Sequence, residues 1–129
     1  MAAPSASSAR EAFAHCVRTV RTADFEGYVC TLALPAAARP AAFAVRALNV
    51  ETAGVLEASG SPNLALMRFR WWRDAVAGAC KGEPPAHPVA QALAAAGGAA
   101  ELKPLLSTLI VSRESDVETG GVVPSLEAL

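Results

Sequence analysis

The chain has 129 residues, of which 53% are hydrophobic and 18% charged, and its formal net charge is -1. This length suits one domain or part of one, and the nearly balanced charge produces no global field that would recruit nucleic acid. Alanine supplies much of the hydrophobic content, whereas aromatic residues make up only 5%. Because alanine is the best helix former, the composition predicts an all-α fold.

The three cysteines, Cys16, Cys30 and Cys80, are far apart and odd in number. They form neither a Cys-x-x-Cys pair nor a disulfide framework, which favours a reducing compartment. His15 beside Cys16 permits a metal-site interpretation, but a cysteine on an apolar helix face is typically a small buried hydrophobe. We therefore predict no metal ligand and no catalytic residue among them.

The first two helices are predicted from their capping residues. Ser8 and Glu11 have the Ser-x-x-Glu spacing of a capping box, and an apolar face follows at helical spacing, formed by Phe13, Cys16, Val17 and Val20. Asp24 is the predicted cap of the second helix, which Pro35 ends. The apolar face of that helix is predicted to contain Phe25, Tyr28, Val29 and Leu32.

Prolines and glycines delimit the remaining helices. A third helix is predicted to start between Pro35 and Pro40 and to run to about Glu57, where residues 59–62 form a turn. The fourth has the apolar stripe Ala65, Phe69, Trp72, Val76 and Cys80. Shorter helices are predicted from Pro88 to Gly97 and over 101–113, and Ser125 is a predicted cap one turn before the chain ends.

The third predicted helix carries the stretch FAVRALNVETAGVLE, over 43–57. Its carboxylates, Glu51 and Glu57, lie six residues apart and about 240° around a helix, so they do not converge on one ion. They are either remnant ligands, or solvated groups that pair with Arg46 or Arg39. Arg46 itself either binds a phosphate or forms an ion pair with one of the two glutamates.

Four blocks in order carry a family resemblance: HCVRTVRTADFEGYVCTLALP, AAFAVRALNVE, LMRFRWWRDAV and PPAHPVAQAL. They resemble the N-terminal part of the squalene/phytoene synthase family, and within it the branch of mitochondrial complex I assembly factors. The resemblance implies an isoprenoid synthase-like helical bundle, represented here by its N-terminal portion over 13–129. Residues 1–12 are then a short leader or a residual targeting segment.

Catalytic members of this family carry an Asp-Asp-x-x-Asp box at this point on a long helix and a second aspartate-rich motif on another helix. Together the two motifs hold magnesium and prenyl diphosphates. The matching positions here include Ala53, Gly54 and Glu57, which leave one carboxylate of three. The second motif is expected beyond Leu129. The resemblance therefore implies no catalytic residue, metal ligand or cofactor, with Arg46 and Glu51 as the other weak candidates for a remnant site.

The resemblance also implies a function and a location. We expect a non-catalytic protein that acts in assembly of mitochondrial respiratory complex I, located peripherally at the matrix side of the inner membrane. Its expected partners are complex I subunits or other assembly factors. Two alternatives remain: a prenyltransferase of the squalene/phytoene synthase class, which requires magnesium and prenyl diphosphates, and an inactive truncated fragment.

Side chains of the fourth and fifth predicted helices have competing interpretations. Trp71, Trp72 and Arg73 resemble the family's Trp-Trp-Arg stretch, and the tryptophans are either core residues or part of a substrate wall. A basic strip formed by Arg68, Arg70 and Arg73 is either a solvated face or a contact to a partner or lipid headgroups. His87 lies at a helix start, where we expect capping or exposure.

Overall fold

A computed structural model describes residues 5–120 of the protein, and all regular structure in this range is helical. The predicted all-α class is thereby confirmed. A 3₁₀ turn at Ala36–Ala38 joins the second and third helices. The α-helices are α1 (Ala6–Ala23), α2 (Phe25–Leu32), α3 (Arg39–Ala53), α4 (Val55–Ser59), α5 (Pro62–Cys80), α6 (Pro88–Ala96) and α7 (Ala99–Glu118).

Helices α1, α3 and α6 pack on one another, and α5 packs along α7 and against α4 and α6. The first group meets through small side chains, since Cys16, Ala44, Ala47 and Ala92 are completely buried. Alanine at a helix contact lets the backbones approach closely, which explains how an alanine-rich chain forms a core. The largest buried side chains are Trp72, Phe69, Leu48 and Ile110.

Side-chain caps start α1, α2 and α5. Asp24 caps α2 as predicted, and its carboxylate accepts a hydrogen bond from the Gly27 N–H at 3.0 Å. The predicted cap of α1 is wrong, because Ser5 is the N-cap and accepts from the Ser8 N–H at 3.2 Å. Ser8 is thus a first-turn residue whose orphan N–H is satisfied by the serine three residues earlier.

The buried face of α2 is the reverse of the predicted one. Gly27 and Thr31 are buried, whereas Phe25, Val29 and Leu32 are 59%, 50% and 43% exposed. The reason is the close approach that Gly27 allows, because a Cβ at this position would overlap the side chains of Asp24 and Arg46. Helical periodicity cannot anticipate this, since it assigns the interior to the largest apolar side chains. Of the predicted face, Tyr28 alone is partly buried, and it packs on Phe43.

The third predicted helix is interrupted before Glu57. Helix α3 ends at Ala53, Gly54 follows with φ -89° and ψ -1°, and α4 then begins at Val55. Glycine is a poor helix former, and Thr52 also bonds back to the carbonyl of Leu48 at 2.8 Å, a pattern that often bends helices. The break lies within the stretch over 43–57, at the positions that match the degenerate aspartate-rich box.

The last helix is longer than predicted and is attached to two others. Helix α7 covers Ala99–Glu118 rather than 101–113, and Gly97 and Gly98, both at positive φ, form the turn before it. Arg113 Nη2 donates to Asn49 Oδ1 of α3 at 3.0 Å. Arg73 Nε of α5 lies 3.0 Å from Glu114 Oε1, at ion-pair distance. The predicted cap at Ser125 lies outside the described residues.

Within residues 5–120, no helix is both long enough and apolar enough to cross a membrane.

The close approach at Gly27 generates a stability prediction with a matched control. Gly27→Ala should lower the free energy of unfolding by about 1 kcal/mol, because the new Cβ displaces the Asp24 cap. Gly54→Ala should be neutral or raise stability by up to about 1 kcal/mol, because a Cβ there meets nothing closer than the Val50 carbonyl at 3.9 Å. Urea unfolding followed by circular dichroism measures both. Equal effects of the two substitutions would contradict this account of α2.

Candidate functional site

The break between α3 and α4 opens beside a cavity of about 520 Å³. Helices α3 and α4 form one wall and α5 the other. The lining combines apolar side chains with one carboxylate and one guanidinium: Val50, Glu51, Gly54, Val55, Ala58, Ser59, Arg68 and Trp72. The degenerate family motif therefore adjoins a cavity even though its aspartates are replaced.

Only some of the motif positions line this cavity. Gly54 lines it through its backbone, and Glu51, one turn earlier, lines it with a half-buried side chain. Ala53 and Glu57 are exposed and contribute nothing to the lining. The prediction that the two glutamates do not converge is consistent with this arrangement, because only Glu51 lines the cavity.

The ion pairs of the described residues differ from those predicted. Arg46 Nη1 lies 3.6 Å from Asp24 Oδ2, so its ion pair is with Asp24 and not with either glutamate. Glu51 Oε1 lies 3.8 Å from His15 Nε2 on α1. Both pairs are partly exposed, so each contributes little to the stability of the fold.

The cavity does not fit a magnesium–diphosphate site. Magnesium takes oxygen ligands in near-octahedral geometry and usually needs more than one carboxylate together with substrate phosphates. Here a single carboxylate, Glu51, faces the cavity, and it also contacts His15. Among residues 5–120, no group of three histidine, cysteine or acidic side chains is placed to hold a metal ion.

An aromatic cluster forms the floor of the site. Trp72 is only 1% exposed, which confirms its predicted core position, although its edge also lines the cavity. Trp71 packs edge-to-face on Trp72, and the Arg68 guanidinium lies 5.0 Å from the Trp71 ring centroid. A cation over an indole is held by the ring quadrupole. Arg68 is thus fixed at the cavity rim, whereas Arg73 of the same predicted basic strip pairs with Glu114.

His87 connects this cluster to α6. Its Nδ1 accepts a hydrogen bond from the Val89 N–H at 3.2 Å, so the predicted capping role is confirmed. Its ring packs edge-to-face on Trp72 with centroids 4.9 Å apart, and it also contacts His15. The pKa of His87 is lowered from its ordinary value, and burial of the imidazole is the largest cause. The nearby positive charges of His15 and Arg68 also lower this pKa, whereas the Glu51 carboxylate opposes them by raising it.

The contact between His15 and Glu51 is the feature that the sequence did not reveal. Thirty-six positions separate the two residues, and no local spacing links them.

Cys16, beside His15, is completely buried, and burial raises the pKa of its thiol to about 12, as expected of a hydrophobic cysteine. A thiol with so high a pKa is neither a nucleophile nor a ready metal ligand.

Residues 20–129 match the squalene/phytoene synthase family. The chain belongs to the squalene/phytoene synthase family. The match begins within α1 and includes the α3–α4 break, the cavity and the tryptophan cluster. The all-α bundle of the described helices is consistent with this family membership.

Several curated relatives have a common name. The chain is 41% identical over 76 residues to proteins of Bos taurus and Homo sapiens named NADH dehydrogenase (ubiquinone) complex I, assembly factor 6, a match that covers 59% of this chain and 23% of each relative. The Rattus norvegicus protein of that name is 37% identical over 93 residues, which is 72% of this chain and 28% of the relative. The matched part thus spans about a quarter of these relatives. No solved structure gives a significant match.

The capping role of His87 predicts a pH dependence of stability. Because the pKa of His87 in the folded protein is lowered from its ordinary value of 6.5, the unfolded chain binds more protons below that pH. The stability that neutral His87 contributes is present above pH 6.5 and is lost as the pH falls through its lowered folded-state pKa. His87→Asn keeps a capping side chain without the titration.

Urea unfolding between about pH 7.5 and pH 5.5 measures this effect. The difference in unfolding free energy across that range should be smaller in His87→Asn than in the unmodified chain. His15→Asn is the matched control, and it should retain most of the dependence. If His87→Asn leaves the pH dependence unchanged, the buried cap is not its source.

Proposed function

We propose that this protein is a non-catalytic member of the squalene/phytoene synthase family that acts in the assembly of mitochondrial respiratory complex I. The observation that carries the proposal is the similarity, at 37–43% identity, to proteins named complex I assembly factor 6 from mammals and from Drosophila melanogaster. The family match, over residues 20–129, includes the segment that contains the cavity. The partners proposed are complex I subunits or other assembly factors.

The chemistry of the cavity supports a binding role rather than a catalytic one. Prenyl diphosphate condensation by this family's enzymes needs carboxylates that hold magnesium, and positions 53 and 54 are alanine and glycine. What remains is a cavity of mixed polar and apolar lining, with the Arg68 guanidinium at its rim and Glu51 lining it and also contacting His15. Such a cavity retains shape and apolar surface, which suffice for binding.

The proposed location is the mitochondrion, peripherally at the matrix side of the inner membrane. We infer this location from the similarity to the assembly factors, because their name refers to NADH dehydrogenase (ubiquinone) complex I. Fractionation of mitochondria with carbonate extraction and protease protection tests it. Recovery of the protein outside mitochondria would contradict the proposed location, but it would leave the proposed binding role of the cavity unaffected.

Deletion and rescue test the function in an organism that has complex I. Loss of the gene should lower assembled complex I, measured by native gel electrophoresis with in-gel NADH oxidation. The full-length product carrying Glu57→Gln should restore it fully, because this carboxylate is exposed and makes no contact with the cavity. Trp72→Ala should fail to restore it, since truncating a buried tryptophan costs about 3–5 kcal/mol. Normal complex I after deletion would refute the proposal.

The alternative is a prenyltransferase, which family membership alone favours. It is tested by incubating the full-length product with farnesyl or geranylgeranyl diphosphate and magnesium. We expect no turnover. Turnover that exceeds that of the Glu51→Gln variant, which lacks the one carboxylate lining the cavity, would establish the alternative and remove the non-catalytic interpretation.

A further inference from the structure

The start of α6 depends on the side chain of His87. Helix α6 begins with Pro88, which carries no backbone N–H, so the Val89 N–H is its first donor without an intrahelical partner. His87 Nδ1 accepts a hydrogen bond from this N–H at 3.2 Å. An imidazole nitrogen accepts only while it carries no proton, because both ring nitrogens of the imidazolium are donors. Protonation of Nδ1 therefore removes the cap of α6.

The position of His87 also disfavours its protonated form. The first turn of α6 contains no acidic side chain, and the N-terminus of a helix is the positive end of its dipole. An imidazolium at this point is repelled by the dipole and by the free N–H groups. Burial acts in the same direction, and it is the largest cause of the lowered pKa of His87. The site therefore fits the neutral imidazole better than the imidazolium.

Charged groups from three helices act on His87 with opposite signs. Glu51 of α3 raises its pKa, whereas His15 of α1 and Arg68 of α5 lower it. The His15 ring centroid lies 6.5 Å from that of His87, and His15 Nε2 lies 3.8 Å from Glu51 Oε1. Arg68 lies over the Trp71 ring, whose centroid is 5.5 Å from that of His87. Because Glu51 and Arg68 also line the cavity, the proton on His87 is coupled electrostatically to the cavity lining.

Charged side chains of the neighbouring loop and of α7 lie outside this cluster. Lys81 and Glu83, in the loop before α6, are exposed. Helix α7 also packs on α6, and its Lys103 lies near the Cys80 thiol. The charged groups that face His87 thus come from α1, α3 and α5.

His87 also packs against Trp72 at the floor of the cavity. The two ring centroids are 4.9 Å apart, and Trp72 is only 1% exposed. If the start of α6 is released, the indole loses this neighbour and water reaches a side chain that the folded chain otherwise buries. Loss of the cap therefore alters the cavity floor as well as α6.

We propose that His87 is a pH-sensitive switch at the cavity. Neutral His87 caps α6 and packs against Trp72, whereas protonated His87 releases the start of α6 and exposes the indole to water, while the rest of the bundle stays folded. The inference adds regulation to the binding role proposed for the cavity, and it rests on that role for its biological meaning. The switch is measured in the purified chain without a ligand, so its failure is distinct from a failure of the complex I test.

Tryptophan emission reports on this cluster, because the chain's two tryptophans, Trp71 and Trp72, both contact His87. As the pH falls from about 7.5 to about 4.5, the emission maximum should move to longer wavelength. The midpoint should lie below 6.5, and far-ultraviolet circular dichroism should change little over the same range. His87→Asn, which keeps a capping side chain without the titration, should abolish the shift.

Three results of this titration would overturn the proposal. The first is an unmodified chain whose emission does not shift, and the second is a shift that persists in His87→Asn. The third is a loss of helical signal that coincides with the shift, because the whole bundle then unfolds and no local switch exists.

Glu51→Gln and Arg68→Gln form a matched pair with opposite expected results. Glu51→Gln removes a charge that favours the imidazolium, so the emission midpoint should move to lower pH. Arg68→Gln removes a charge that disfavours it, so the midpoint should move to higher pH at low ionic strength. His15→Asn should also move it to higher pH. Midpoints that move in the same direction in the matched pair, or that do not move, would refute the coupling to the cavity.

Hydrogen exchange locates the change within the chain. The amides of Val89 and Gln91 donate to the His87 side chain and to its carbonyl, at 3.2 Å and 2.9 Å. Their protection, expressed relative to the intrinsic exchange rate at each pH, should be lost through the transition, while amides of α3 and α5 stay protected. Equal loss of protection in all helices would contradict a switch confined to the start of α6.

Discussion

The edge-to-face contact between Trp72 and His87 determines how the cavity and the start of α6 are built. Trp72 is almost completely buried, and its ring centroid lies 4.9 Å from that of His87. His87 begins α6 by accepting the Val89 N–H, and its ring also faces His15, which in turn contacts Glu51. One buried indole thus supports a helix cap, the floor of the cavity and the surroundings of its carboxylate.

That arrangement explains how the cavity is held open although positions 53 and 54 carry no carboxylate. In the described helices, the Glu51 carboxylate is held near an imidazole, whereas a metal site would need it to converge with others. Arg68 is held by the face of Trp71 and contributes a cation at the rim. These contacts are structural, and they preserve a cavity with one carboxylate and one guanidinium, which suits a binding function better than diphosphate condensation.

The sequence predicted those parts of the fold that depend on local chemistry. The Asp24 cap, the start of α6 at Pro88 and the buried stripe of Phe69, Trp72 and Val76 are confirmed because capping, proline geometry and helical periodicity each act within a few residues. The all-α class followed from composition in the same way. Degeneracy of the motif was equally visible from the residues at 53 and 54.

Features that depend on contacts between distant helices were missed. The outward face of Phe25 and Val29 follows from the packing of Gly27 against the side chain of Arg46, which no periodicity within α2 encodes. The partner of Arg46 was predicted within its own helix, but it is Asp24, at the end of α1. Gly27, three residues after the capping Asp24, is the one local signal that a close approach was possible. This signal does not specify that the neighbouring side chain is Arg46.

Magnesium-dependent diphosphate binding tests the central claim most directly. Titration calorimetry of inorganic pyrophosphate into the full-length protein, with and without magnesium, compares the unmodified chain with Glu51→Gln. The account predicts that magnesium does not strengthen binding and that the substitution changes nothing in its dependence on the ion. Binding that requires magnesium and is lost in Glu51→Gln would show that a working metal site survives at the α3–α4 break, which would contradict the account.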